Sequence, residues 1–227
     1  MEWPSKIDEN ILYDVLNFKN SVQNSLVESK IEVKSAYNSL LITYEYSIEN
    51  INTKVSTLES LYLSKKGVQK FNFRHWKIPV CYDKEFALDL DEISKQNNLS
   101  KKEIIQLHSS AVYTVYFIGF LPGFLYLGGL DERLNFLRKP TPRLHIKKGA
   151  VAIGGNQTGI YPNESPGGWN VIGNTPISMF DASKEPPCFA SPGDKIQFVP
   201  ISIKTYRDIS TLVEAGVFQM ESEVIDG

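Results

Sequence analysis

Cysteine is scarce in this chain: Cys81 and Cys188 stand alone, far apart and outside any Cys-x-x-Cys pair. A disulfide framework is thereby excluded, and two thiols packed as small hydrophobes in a reducing compartment are expected. Histidine is limited to His75, His108 and His145, and no close-set carboxylates accompany them, so no metal site is expected. Charge of one sign is also lacking, since 24 basic and 26 acidic side chains leave a net charge of −2. That balance gives no electrostatic case for nucleic acid or an anionic membrane as partner. No run approaches the ~20 apolar residues of a membrane-spanning helix. Met1 to Lys6 has no basic region leading into an apolar core, so no secretory signal is expected and the cytoplasm is the expected location. Missing as well are a P-loop, a Gly-x-Gly-x-x-Gly fingerprint and a Gly-x-Ser-x-Gly nucleophile turn.

What is present is an ordinary globular mixture, 42% hydrophobic and 22% charged, in a chain of 227 residues. That length holds one large domain or two small ones. Ile11, Val15, Phe18, Val22 and Leu26 recur at steps of three or four and predict a helix over about 9–29. Strands are predicted at Ile31–Tyr37 and Leu40–Tyr46, then a helix through Ile51, Val55, Leu58 and Leu61 closed by Gly67, then a strand around Phe71–His75. Helix–strand–strand–helix–strand is the order of a small ferredoxin-like α+β layer lacking its first strand, absent or very short here. A domain over 1–76 is expected on that basis, followed by a second over 77–227.

In the second part, Leu88 to Ile93 suggests a short helix, and Ser100-Lys-Lys-Glu103 is a capping box opening another. Ala111–Ile118 reads as a buried strand. From Thr141 onward short strands alternate with Gly/Pro turns: Arg143–Ile146, Ala150–Ile153, Gly159–Tyr161, Trp169–Ile172, Ile177–Phe180 and Lys195–Val199. Such a run argues for a barrel or a sandwich, with a last helix over Ile203–Val213.

The densest signal lies between Gly119 and Pro176, where glycine and proline cluster with Phe120, Phe124, Tyr161 and Trp169 instead of linker serines. Ordered turns gathering backbone amides and a few polar groups are expected there. Gly154-Gly155-Asn-Gln-Thr-Gly159 reads as a tight turn or, alternatively, a phosphate cradle, although Ile160 follows where a P-loop carries lysine and a hydroxyl. Arg143 offers a planar fork for carboxylate or phosphate, or pins a loop. Gln157, Thr158 and Tyr161 can hydrogen-bond an amide-bearing ligand or serve the turn. His108, on the helix after the capping box, is a candidate proton carrier or a hydrogen-bonded structural residue. The stretch Gly119–Leu130, with Phe120, Pro122, Gly123 and Phe124, is apolar enough for a partner surface or a cover over the core.

These motifs, in order, resemble the KipI family, also called allophanate hydrolase subunit 1 or the 5-oxoprolinase B subunit family, of carboxyltransferase domain subdomain C and D type. The matching pieces are Ile-Pro-Val-Cys-Tyr (78–82), Leu-His-Ser (107–109), Gly-Phe-Leu-Pro-Gly-Phe-Leu-Tyr-Leu-Gly-Gly-Leu (119–130) and Thr-Pro-Arg (141–143). Gln-Thr-Gly-Ile-Tyr-Pro (157–162), Ser-Pro-Gly-Gly-Trp (165–169), Ile-Gly-Asn-Thr-Pro (172–176) and Ser-Pro-Gly-Asp (191–194) continue them. The resemblance implies an α+β chain: a small ferredoxin-like N-terminal domain, then a cyclophilin-like β-barrel. It implies one subunit of an ATP-dependent 5-oxoprolinase, opening the lactam of 5-oxoproline to glutamate and working with a KipA-like and a LamB/YcsF-like subunit. In that setting Arg143 would hold phosphate or substrate carboxylate, and Gln157 and Tyr161 the amide edge, with His108 the remaining catalytic candidate. Thr158, Ser165, Gly168 and Trp169 would line the binding surface with the 120–124 turn. Two other readings share the same motifs: a KipI-like inhibitor of a sensor histidine kinase, and a subunit related to allophanate or urea carboxylase systems.

Overall fold

The computed structural model describes residues 1–26, 31–64 and 71–226, which fall into two compact units, 1–71 and 72–226. In the smaller unit Asp8 caps α1 (Glu9–Ser25), its carboxylate accepting the Asn10 and Ile11 amides. The three- and four-residue spacing puts Leu12, Val15, Phe18 and Val22 on its buried face. Strands β1 (Ile31–Ser35) and β2 (Leu40–Tyr44) form an antiparallel hairpin, and α2 (Ile51–Leu63) starts from an Asn50 cap. Ahead of α1 an isolated antiparallel bridge joins Glu2 to Ser39, flanked by Trp3 N–H to the Asn38 carbonyl at 2.7 Å. The Gly67 stop lies outside the described residues, as do residues 27–30.

The strand expected around Phe71–His75 is β3 (Asn72–Val80), and it pairs within the larger unit instead of the smaller one. There follow α3 (Leu90–Gln96), α4 (Lys101–Ser110), β4 (Val112–Ile118), β5 (Leu125–Gly128) and a 3-10 turn at Glu132–Leu134. Next come β6 (Arg143–Ile146), β7 (Ala150–Gly154), β8 (Gln157–Ile160), β9 (Ser165–Gly167) and β10 (Asn170–Asn174). The unit closes with β11 (Lys195–Pro200), α5 (Ile203–Glu214) and β12 (Ser222–Asp226). The capping box is formed: Ser100 Oγ accepts the Glu103 N–H at 3.2 Å, and Glu103 accepts the Ser100 N–H at 2.7 Å.

This is a mixed α/β chain in which, among the described residues, the strands pair as open sheets and no ring of strands closes. One sheet runs β12-β3-β11-β4-β5, with β3 and β11 parallel; another runs β10-β7-β8; β6 pairs with β9. Ile177–Phe180, expected as a strand, has no ladder partner. Its backbone bonds are taken locally, the Ile177 N–H by Thr175 Oγ1 and the Phe180 carbonyl by Ser178 Oγ. Among the described residues no helix is long and apolar enough to cross a membrane.

The β10-β7-β8 sheet positions the candidate site, because both its faces are covered. Val151, Ile153, Ile160 and Ile172 face the main core, which they share with β3, β4, β5 and β11. Ala150, Ala152, Tyr161 and Val171 face a second cluster with Phe124 and Trp169. Strand alternation produces this split, and burial on two sides explains why β7 is apolar throughout; the buried asparagines at the ends of β10 donate to backbone carbonyls.

Candidate functional site

The second cluster brings together three of the residues singled out in the sequence. Phe124 meets Tyr161 and Trp169 edge-on, at ring centroid distances of 5.9 and 5.7 Å. The glycines beside them are small for packing reasons: a Cβ on Gly154 would lie 2.6 Å from the Trp169 indole, and one on Gly159 would lie 3.3 Å from both Phe124 and Trp169. Gly155, with φ +68°, opens the two-residue β7–β8 hairpin loop, the place for a positive-φ glycine. The glycine run is therefore a hairpin fitted under an indole. It does not fit a phosphate cradle, and no step through ATP is assigned to it.

The 119–124 turn is built from two tight bends. The Leu121 N–H donates to the Gly119 carbonyl at 2.8 Å around Phe120, whose φ is +67°. This is a γ-turn of the rare positive-φ kind, strained for a non-glycine residue. Leu121-Pro-Gly-Phe124 then forms a type II turn, with proline second, Gly123 third at φ +83°, and the Phe124 N–H on the Leu121 carbonyl at 3.0 Å. The expected partner surface divides accordingly. Phe124 is only 3% exposed and belongs to the core, a correction to its place on that surface, while Phe120 is 67% exposed and Pro122 is also exposed.

His108 requires a correction too. It is completely buried and stacks on Phe198 at 4.5 Å. Its Nε2 lies 2.8 Å from Thr158 Oγ1, which donates to the Ala152 carbonyl at 3.1 Å, so Nε2 carries the proton. Nδ1 then accepts from the Tyr82 hydroxyl at 2.7 Å. Burial pushes the ring from its ordinary value down to about 3, so it is neutral and sealed, a structural residue and not a catalytic base. Thr158, equally buried, serves that chain of bonds instead of a ligand. One consequence is a pH dependence with a definite sign. The unfolded chain protonates this histidine below about 6.5, whereas the folded chain does not until about 3. Stability is therefore complete above 6.5 and falls as pH drops, by about 1.4 kcal/mol per unit. Urea midpoints between pH 7.5 and 5 should decrease, while imidazole nitrogen NMR should show His108 neutral with its proton on Nε2. A His108 ring that titrates near 6.5 would contradict the sealed network.

Arg143, on β6, does not present a free fork. Nη1 and Nη2 donate to Asp89 at 2.8 and 2.6 Å, and Asp89 is 3% exposed. The same carboxylate accepts the Val171 N–H at 2.7 Å and Lys139 Nζ at 3.0 Å, and Lys139 reaches Glu92 as well. Burial pushes the Asp89 carboxyl up, but bonds from Arg143, Lys139 and Val171 outweigh it and hold the carboxyl below its usual range. Asp89 carried no sequence signal. It occupies the N-cap position of α3 without capping, its side chain turned to the arginine instead. Arg138 and Lys139 likewise carry no sequence signal: the Arg138 guanidinium lies 5.5 Å over Trp169, and the Lys139 N–H donates to the Gly168 carbonyl at 2.7 Å.

Of the remaining candidates, Gln157 is half-buried where β8 leaves the hairpin loop. Tyr161 is 2% exposed, and burial raises its phenol against the opposing pull of the Trp169 N–H and of Arg138 and Arg143. Ser165 lies opposite Ile146 in the β6–β9 pair, its Oγ buried without a hydrogen-bond partner. Beside these strands a pocket of about 110 Å³ opens, lined by Glu85, Phe86, Leu88, Arg143, His145, Ile146, Lys147, Ala150, Val171 and Asn174. The structure thus gathers Tyr161, Trp169 and Phe124 in one cluster and Arg143 beside the pocket, and puts His108 and Thr158 in the main core.

The carboxyltransferase domain, subdomain C and D, matches residues 1–190. The 5-oxoprolinase B subunit of Bacillus subtilis is 47% identical over 136 residues, which is 60% of this chain and 57% of that relative. The protein of the same name from Haemophilus influenzae is 42% identical over 169 residues, 74% of this chain and 78% of the relative. The Kluyveromyces lactis urea carboxylase structure shares the fold with a TM-score of 0.83 at 22% identity, covering 100% of this chain and 23% of that one. With its match to the family model over residues 1–190, this chain belongs to the carboxyltransferase domain, subdomain C and D, family, together with the 5-oxoprolinase B subunits.

Proposed function

We propose that this chain is the B subunit of a multi-subunit, ATP-dependent 5-oxoprolinase, which opens 5-oxoproline to glutamate only when a KipA-like and a LamB/YcsF-like subunit are present. The observation that carries the reading is the 42% identity over 169 residues to a protein named as such a subunit. The site chemistry supports a component that does not act alone: the Arg143 fork is closed on Asp89, and His108 is sealed in the core. In this reading ATP is consumed by the assembly, in the cytoplasm, and is bound outside this chain's glycine hairpin. The chain contributes the surface formed by β6, Gln157, the Ser165–Trp169 segment and the exposed tip at Phe120 and Pro122. As to fold, we read the smaller unit as a ferredoxin-like layer whose first strand has shrunk to the Glu2–Ser39 bridge. The larger unit reads as a cyclophilin-like barrel whose sheets wrap one core without closing the ring.

The test is to purify the tagged chain with and without the two other subunits and assay 5-oxoproline-dependent ADP release. Turnover is expected from the assembly and none from this chain alone. Robust turnover by the pure chain, or an assembled complex indifferent to 5-oxoproline, would sink the proposal.

A further inference from the structure

The pocket of about 110 Å³ has an apolar floor and an unbalanced rim. Ile146, Ala150 and Val171, each no more than 3% exposed, form its base. Charges on its wall are already matched, with one exception. Arg143 is held by Asp89 at 2.6 Å and Glu85 by Arg207 at 3.6 Å, while His145 Nδ1 lies within hydrogen-bond reach of Glu164 at 3.0 Å. Lys147, an exposed lining residue, has no ion-pair partner among the described residues, so it leaves one unmatched positive charge at the pocket.

We infer that this pocket binds a compact monocarboxylate with an apolar body, the body on Ile146, Ala150 and Val171 and the carboxylate on Lys147. Size limits the ligand: an apolar cavity of about 150 Å³ accepts benzene, so a small ring or branched chain fills this one. Phosphate needs free donors on several sides, and here Arg143 is committed to Asp89 and the Asn174 amide to the Lys148 carbonyl. A dicarboxylate would bring a second charge with no counter-ion. The inference deepens the proposed function, and rests on it, only in that 5-oxoproline is a compact monocarboxylate, whose ring methylenes would face the floor and whose lactam edge the open side; it also moves the anion contact from Arg143, whose fork is occupied, to Lys147. Arg143 becomes a positioning residue that fixes the pocket wall through Asp89.

The experiment uses the isotopically labelled full chain and three probes followed by amide NMR: 5-oxoproline, cyclopentanecarboxylate and 2-pyrrolidone. The two carboxylates should shift the amides of Ile146, Ala150 and Val171, and the neutral lactam should not. Lys147→Gln should weaken both carboxylates about tenfold, the loss of one charge-assisted contact, without altering the rest of the spectrum, since Lys147 is exposed. Lys147→Arg should restore binding. Carboxylates that leave the three amides unmoved, or a lactam that binds equally well with Lys147→Gln silent, would overturn the inference. The two readings fail separately. An active complex with no carboxylate binding here removes only the pocket assignment, and carboxylate binding in a chain whose complex ignores 5-oxoproline removes only the oxoprolinase reading.

Discussion

Replacing Asp89 by alanine is expected to cost about 3–5 kcal/mol, enough to unfold the larger unit under mild denaturant. One buried carboxylate answers Arg143, Lys139 and the Val171 amide together, so its removal strands Arg143 and a backbone donor and leaves Lys139 only Glu92. Asp89→Asn keeps the shape and the Val171 bond but loses the charge, and should fall between wild type and alanine. The pH behaviour adds a second signature. The Asp89 carboxyl is held below its ordinary value of 3.8, so its contribution is present above that pH and is lost as pH falls through the lowered value. That acid step should vanish in the alanine variant, while the loss beginning near 6.5, which belongs to His108, should remain. Urea titrations across this range measure both. An Asp89→Ala protein as stable as wild type would show that Arg143 and Lys139 find water or Glu92 adequate.

The second large effect separates two phenylalanines of the same turn. Phe124→Asp should leave no stable larger unit: truncating a buried phenylalanine costs ~3–5 kcal/mol, and a carboxylate placed against Trp169 and Tyr161 adds a desolvation cost. Phe120→Asp, at the exposed tip, should change stability by no more than about 0.5 kcal/mol. Phe120→Gly should be neutral or better, because glycine accepts the +67° φ without strain. If Phe120 docks on another subunit, its aspartate variant is folded yet fails to co-purify. A folded Phe124→Asp protein, or an unfolded Phe120→Asp one, would reverse the division between core and surface.

Much of the architecture is legible in the chain because its signals are local. The 3–4 spacing of α1, the Ser100 capping box and the apolar run of β4 each appear at or close to the expected place. What escapes is whatever depends on a distant partner. β5 is a short segment between glycine-containing turns, read as part of a loop, and becomes a strand only because β4 lies beside it. Ile177–Phe180 has a strand's composition but finds no ladder to join. For Phe124 the sequence leaves a partner surface and a cover over the core both open, because it cannot show the hairpin that folds Gly154 and Gly159 beside the same aromatic cluster. Of the site, the region was legible and the roles were not. Arg143 stood out by its setting, whereas Asp89, 54 positions earlier, gave no sign that it occupies the guanidinium.

The register of β3 has a consequence for the order of events during synthesis. This strand pairs with β11 on one side and β12 on the other, partners supplied by residues 195–200 and 222–226. Until those residues have left the ribosome, Ile78 and Val80 have no ladder to enter and their apolar face has nothing to close it. The smaller unit has no such dependence, since its hairpin and both its helices lie within residues 1–71. A nascent chain therefore carries a finished first unit while the second still waits for residues 195–226. Pairing across such a separation is slow, and a waiting strand of this kind is the sort of surface that chaperones hold.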